Sequence, residues 1–542
     1  MPGRWRRWGV GASSAVLCVT VAASASAQAR NWPVEEAPRP LAARRANFPP
    51  YEVRTLPNGM QVVVVLHHEQ PAVSMRLLVR AGAAYVPPGK FGLTTLLAAL
   101  LDQGTATRSA QQIADTIDSI GGSLDTGAGT DLTFVSVLVM KDSFQLGMDM
   151  IADVTRHPAF DAEEIERQRQ QVLSGLRVSY EDPTYVASAV FDRLIYGVHP
   201  YGMPNSGIPD SVSRVTREDI REFHRRYFAP NNCILAIVGD VTGPEAFTAA
   251  ERAFGDWPRQ EIQVPHLPDP PAPTRRVIVV DKPDAVQTEV RVGHLGVARG
   301  SPDFMALDLA MNILGGEGSN RLHRVLRTER SLTYGASADM DTMLQAGDFV
   351  AETDTRSEAT GEVLRLTVEE FSRLRRDRIS ERELTDAQAY LTGSFPLTIE
   401  TPDEIATQIL NTLFYNLSLD ELQTYRQRVN AVTVDGIQRV ARRYLQPDRL
   451  SVVLVGNVAA FKGQLQSAGF GTYEVVPLSD LDLTSADFKR SSTAVEDGPA
   501  QTHPAAAGVS RRAAPATSAQ ELRTPVRRTP AVFDKPAQGR GQ

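Results

Sequence analysis

Val215-Thr216-Arg217-Glu218-Asp219-Ile220-Arg221-Glu222-Phe223-His224-Arg225-Arg226-Tyr227 returns 217 residues later as Val432-Thr433-Val434-Asp435-Gly436-Ile437-Gln438-Arg439-Val440-Ala441-Arg442-Arg443-Tyr444. Both copies run on to a proline, Pro230 or Pro447. Both then enter an apolar stretch that closes on Val238-Gly239-Asp240-Val241 or Val455-Gly456-Asn457-Val458. A second pair of segments keeps nearly the same offset: Phe160-Asp161, Ile165 and Pro183 match Ile379-Ser380, Leu384 and Pro402. One shared motif would be weak, but two at one period argue for duplicated halves of roughly 220 residues.

Within each half the hydrophobic pattern alternates between two periods. Residues 61–66, 73–79 and 134–140 are short apolar runs and predict strands. Residues 109–120, 143–155 and 162–180 place apolar side chains at helical spacing and predict amphipathic helices. Asp161 ahead of Glu163 and Glu164 suits a helix start, where an acceptor and negative charge meet free N–H groups. Strands arrive as neighbours rather than strictly alternating with helices. The expected class is therefore α+β, with each repeat a mainly antiparallel sheet and helices packed on it. Residues 256–275 carry Pro258, Pro265, Pro268, Pro270, Pro271 and Pro273, which predicts an extended, semi-rigid linker. The halves then span 51–255 and 276–480. From 481 to 542 the chain becomes rich in Ser, Ala, Thr, Pro and Arg, and a disordered tail is expected there.

The full chain has 542 residues, 42% hydrophobic and 22% charged, with net charge −7. That is the balance of a soluble globular protein and offers nothing to a polyanion. Arg4, Arg6 and Arg7 precede an apolar run from 10 to 23 and then Ala25-Ser26-Ala27. This is the pattern of a secretory signal peptide over 1–27, followed by an N-terminal extension over 28–50. No later apolar run has the length of a membrane-spanning helix. The expected location is periplasmic. Of two cysteines, Cys18 falls in the signal, and Cys233 sits alone in an apolar strand-like run, which reads as a small core residue.

Further short motifs follow in order. They are Leu56-Pro57-Asn58-Gly59-Met60, Ala81-Gly82, Gly92-Leu93, Gly104-Thr105, Gly121-Gly122-Ser123, Pro158-x-Phe160, Leu314-Gly315-Gly316 and Arg321-Leu322. Together they resemble the M16 (pitrilysin/insulinase-like) peptidases, in the compact bacterial group related to mitochondrial processing peptidase. The resemblance spans about 51 to 458. It implies a zinc site built from an inverted His-x-x-Glu-His motif on a helix, with the Glu as general base. In this chain those places read Thr95, Ala98 and Ala99. A third ligand, a Glu on the helix after Pro-x-Phe, has its register at Gly175. Zinc needs three such protein ligands and an open position for water. Only a threonine hydroxyl remains, so no metal or other cofactor is expected in this chain. No other pair of histidines has the spacing to replace the site. His67-His68-Glu69 lies at a strand end, where neighbouring side chains point to opposite faces. His294 reads as a structural, hydrogen-bonded histidine.

The second half keeps what the first has lost. Gly315-Gly316-Glu317-Gly318-Ser319-Asn320-Arg321 leads into a helical stretch and then Ser331-Leu332-Thr333-Tyr334. The resemblance makes Arg321 and Tyr334 a pair that reaches towards the substrate. A guanidinium and a phenol are good donors to a peptide carbonyl and to the oxyanion that forms as an amide is cleaved. A phosphate loop is excluded, since Gly318 is not followed by Lys and then Ser or Thr. The expectation is a non-catalytic subunit. It pairs with a zinc-bearing M16 chain as a heterodimer, and the two together cut unfolded peptides. The alternative is a peptide- or protein-binding scaffold with no part in catalysis.

Overall fold

A computed structural model describes residues 47–490. The expected signal peptide, the N-terminal extension up to 46 and the chain beyond 490 lie outside the described residues.

Two six-stranded sheets carry the fold, and both are mixed. The first has the order β1-β2-β6-β3-β5-β4, from β1 (Tyr51–Thr55), β2 (Gln61–Leu66), β3 (Ala72–Val79), β4 (Ser123–Ala128), β5 (Thr133–Met140) and β6 (Cys233–Gly239). Only β2 and β6 run parallel there. The second has the order β12-β7-β11-β8-β10-β9, from β7 (Val277–Asp281), β8 (Gln287–Leu295), β9 (Ala336–Thr342), β10 (Gly347–Arg356), β11 (Ser451–Gly456) and β12 (Glu474–Pro477). Here β7 is parallel to both neighbours, and the other pairings are antiparallel. The two repeats thus share an architecture, as the duplicated sequence requires. The predicted helices form as Ala110–Ser119, Phe144–Arg156 and Ala162–Glu181.

The central strands are apolar on both faces, so both faces must be covered. In the first sheet Val62 and Val64 enter a core built with that half's own helices, while Val63 and Val65 point the other way. In the second sheet Val277, Val279, Val452 and Leu454 face one core, and Ile278, Val280, Val453 and Val455 face another. The halves solve this by exchange. The helix Pro183–Tyr196 of the first half lies on the back of the second sheet. The helix Pro402–Phe414 of the second half lies on the back of the first.

Proline makes the exchange possible. Asp182 and Thr401 precede Pro183 and Pro402, and a residue before proline is held extended. Each also caps the new helix: Asp182 accepts from Thr184 N at 2.9 Å, and Thr401 and Glu404 form a capping box. The chain therefore breaks direction sharply and restarts towards the other half. Gly293 on β8 lets the crossing helix come close, because a Cβ there would stand 2.8 Å from the Phe191 ring. Buried polar bonds stitch the same seam. Tyr196 Oη donates to Asp348 at 2.9 Å, and the Leu344 N–H donates to Asp131 at 3.0 Å. Arg80 donates to the carbonyls of Phe414 and Leu413 at 2.8 and 3.0 Å.

Two expected boundaries need correction. The disordered tail does not begin at 481, because the fold runs to Arg490. Leu481, Leu483 and Phe488 are buried against the crossing helix, and Arg193 Nε donates to the Leu483 carbonyl at 2.7 Å. Three well-spaced apolar side chains in a polar stretch suffice to dock it, and average composition hides them. The fold also starts before Tyr51, since Phe48 is buried beneath the helix Pro402–Phe414. Residues 258–276 carry no helix or strand and run extended between the halves. Cys233 is buried in β6, and burial pushes its thiol up. His294 is satisfied at both ring nitrogens, by the Leu295 carbonyl at 2.7 Å and the Gln446 N–H at 3.0 Å.

One histidine predicts a pH response. His224, from the repeated segment, packs between Phe160 and Phe228, with Nε2 2.8 Å from the Thr155 carbonyl. Burial holds it neutral, with a pKa of about 4. The unfolded chain takes up the proton near pH 6.5 and the folded chain resists it. The stabilisation is complete above pH 6.5 and is lost as pH falls towards 4, by about 2–3 kcal/mol. Urea unfolding of wild type and His224→Gln between pH 8 and pH 4.5 measures it. The substitution is expected to flatten the wild-type loss of stability over that window.

Candidate functional site

The helix Leu93–Ala98, where the resemblance places zinc ligands, is short and almost wholly buried. Its start is set by Gly92, whose φ of 90° favours glycine and whose missing side chain makes room for the Ser206 carbonyl 2.6 Å from a would-be Cβ. That loop lies over the helix, and Thr95 Oγ1 donates to the Asn205 carbonyl at 2.7 Å. The hydroxyl is therefore spent on backbone. Ala98 is buried, with its carbonyl accepting from Thr126 Oγ1 at 2.7 Å. Ala99 caps the helix and offers only a methyl group.

Gly175 sits on the exposed face of the helix Ala162–Glu181, which packs against Leu93–Ala98. A Cβ at Gly175 would meet nothing within 4 Å, so open space remains where a carboxylate would reach. The two helices that the resemblance implicates are packed together, and Ala98, Ala99 and Gly175 bring no donor side chain to them. Among the described residues no three His, Cys, Asp or Glu side chains group as a metal ion needs. These residues do not fit zinc, and no metal chemistry can be assigned to them.

The second half places Arg321 and Tyr334 very differently from each other. Arg321 opens the short helix Arg321–His323, directly after the glycine-rich loop, and a π-helical turn, Arg324–Thr328, follows. Arg321 is 7% exposed, and its Nε donates to Glu383 Oε1 at 2.7 Å. Burial is the largest influence on Glu383 and pushes its carboxyl up. The Arg321 bond and charge, with the N–H and hydroxyl of Ser380, outweigh it and hold the pKa at about 2. Glu383 is thus ionised at any working pH.

Tyr334 is 83% exposed. The loop under it is nonetheless well tied. Leu332 is buried, its carbonyl accepts from Thr355 Oγ1 at 2.7 Å, and the Gly335 carbonyl accepts from Thr353 Oγ1 at 2.7 Å. Ser331, at a φ of 53°, turns the chain into this loop, and its carbonyl accepts from Arg356 at 3.1 Å. A fixed backbone therefore presents a free phenol. No hydrogen bond joins Arg321 to Tyr334, or either of them to Thr95, Ala98, Ala99 or Gly175, among the described residues. Sequence reading missed Asn205 and Glu383, which hold Thr95 and Arg321. Ser380 and Glu383 form a capping box in the structure, and nothing local in the sequence marked Glu383 as an arginine's partner.

Comparisons with known proteins agree with this picture. The family model for insulinase (peptidase family M16) matches residues 62–196. The model for the peptidase M16 inactive domain matches residues 214–391, which include Arg321, Tyr334 and Glu383. An uncharacterized zinc protease of Mycobacterium tuberculosis is 28% identical over 401 residues, covering 72% of this chain and 90% of the relative. The zinc protease PqqE of Helicobacter pylori is 24% identical over 449 residues, covering 82% and 97%. The crystal structure of a peptidase M16 inactive domain from Pseudomonas fluorescens matches with a TM-score of 0.71 and 26% identity, covering 75% of this chain and 98% of that one. With M16 models matched over residues 62–196 and 214–391 and the fold shared with a solved M16 structure, the chain belongs to the M16 family of insulinase-like peptidases.

Proposed function

We propose that this chain is the zinc-free member of a two-chain M16 endopeptidase of the periplasm. A zinc-bearing M16 chain is its partner, and the pair closes on unfolded peptides. The observation that carries this reading is selective loss. Thr95, Ala98, Ala99 and Gly175 offer no ligand set, while Arg321 and the exposed Tyr334 persist on an ordered second half. Random decay of an enzyme has no reason to spare the donor side.

In this reading Arg321 and Tyr334 donate hydrogen bonds to the carbonyl oxygen of the peptide being cut. Those bonds strengthen as negative charge gathers on that oxygen, so the donors favour the transition state over the bound substrate. The metal belongs to the partner chain. The signal-like N-terminus supports export, and no helix among the described residues is long and apolar enough to cross a membrane.

A second reading rests on a different observation. Arg321 is buried against Glu383 rather than extended towards solvent, which suits a scaffold that binds peptides or partners without acting on them. One experiment separates the two. The mature chain is purified alone and together with a zinc-bearing M16 chain from the same cell, and zinc content, complex formation and peptidase activity are measured. Substoichiometric zinc and no activity alone, with activity from the complex, is the expected result. Stoichiometric zinc on the isolated chain would refute the reading of residues 95–99. A complex no more active than the partner by itself favours the scaffold.

A further inference from the structure

We propose that Glu383 is the positioning residue for Arg321, holding the guanidinium by its Nε so that the two terminal nitrogens face the substrate. The proposal rests on the reading above, in which Arg321 meets the peptide.

The geometry of the bond supports it. An arginine locked into a purely structural ion pair commonly uses its fork side, two parallel N–H groups on two oxygens. Here the contact is single, Nε to Oε1 at 2.7 Å. Nη1 and Nη2 make no hydrogen bond among the described residues, yet neither is among the buried polar atoms left without a partner. Each therefore keeps a small solvent-accessible edge on a side chain that is otherwise buried. A fork left open in this way is the shape that takes a carbonyl oxygen or an oxyanion.

Arg321 also needs an external anchor. Its own element is a three-residue helix between a glycine-rich loop and a π-helical turn, which constrains the direction of a long side chain weakly. Glu383 supplies that constraint from another element, and is itself fixed. Its second oxygen, Oε2, accepts from Ser380 N and Ser380 Oγ, both at 2.9 Å. The capping box that starts the helix Glu381–Ser394 thus orients one carboxylate oxygen, and the other is aimed at Arg321. The carboxylate stays charged down to about pH 2, so the anchor does not switch off in the working range.

The test is a double-mutant cycle in the complex with the zinc-bearing partner. Arg321→Ala, Glu383→Ala and the double variant are compared for kcat, KM and complex affinity. Glu383→Ala is expected to lower kcat on the order of 10- to 100-fold with little change in KM, the scale of a misplaced catalytic donor. Added to Arg321→Ala, it is expected to cost nothing further. Glu383→Gln guards against a folding failure of the alanine variant. An amide cannot accept from Arg321 and Ser380 at once, so the same fall in kcat is expected. If the Glu383 loss is as large without Arg321 as with it, the residue is only a helix cap and the proposal is overturned. A rise in kcat on removing Glu383 would make it a lock, and overturn the proposal too. Crippled activity in Arg321→Ala beside full activity in both Glu383 variants overturns the proposal while the donor role stands. Full activity in Arg321→Ala overturns both.

Discussion

In the proposed two-chain complex, Arg321→Ala is expected to lower kcat by about 100- to 1,000-fold, the effect of deleting one donor that stabilises an oxyanion. The argument is geometric. Arg321 brings the only arginine fork of the glycine-loop segment to a held position, and the substitution removes both terminal donors at once. Little change in KM is expected, because a donor that tightens mainly in the transition state contributes little to binding the ground state. The substitution also strands Glu383, a half-buried carboxylate still held by Ser380. Some stability is lost for that reason, on the order of 1–3 kcal/mol. Thermal melting and complex affinity must therefore be measured beside the kinetics. A stable, fully assembled complex with reduced kcat isolates the donor effect. A wild-type rate in that complex removes Arg321 from the chemistry.

Neither half folds alone, and this is the largest effect expected on stability. Residues 47–255 and 276–490, expressed separately, are expected to show no cooperative thermal transition, and mixing them is expected to restore one. Without the helix Pro183–Tyr196, the back of the second sheet exposes Ile278, Val280, Val453 and Val455, all essentially inaccessible in the intact chain. Without the helix Pro402–Phe414, the first sheet exposes Val63, Val65, Leu78 and Ile234. Each such side chain is worth about 1.5–3 kcal/mol when buried, and a domain's net stability is of order 5–15 kcal/mol. Losing one face of a sheet is enough to unfold it. Phe191→Ala tests the same seam in the whole chain. It should cost about 3–5 kcal/mol, and it should shift one common transition rather than that of the second half alone. A cooperative melt of residues 276–490 on their own would sink this prediction.

Much of this was readable in advance because it depends on near neighbours. The strands over 61–66 and 73–79 follow from short apolar runs, and the helices over 110–119 and 144–156 from a 3.6-residue period in the hydrophobic pattern. The blank at Thr95, Ala98 and Ala99 is a matter of identity, and no folding can supply a ligand that the residue lacks. Pro183 and Pro402 stood out as matching positions of the repeat, and the fold shows that a helix restarts at each. Residues 481–490 were misread because three apolar side chains count for little in a composition average and for much in a groove shaped to receive them.

The partners of these residues were not readable, because they come from far along the chain. Val62 to Val65 announce a strand covered on both faces, yet nothing near them says that the second cover is a helix from the other half. Glu383 looks like an ordinary capping residue, and only the packing of its helix beside the glycine-rich loop turns one of its oxygens to Arg321. Spacing and residue type define each element, its apolar faces and the chemistry its side chains lack. Which face covers which, and which carboxylate meets which arginine, depends on how two folded halves fill each other's exposed surfaces. That is a contest among contacts hundreds of residues apart, and it has no local signature.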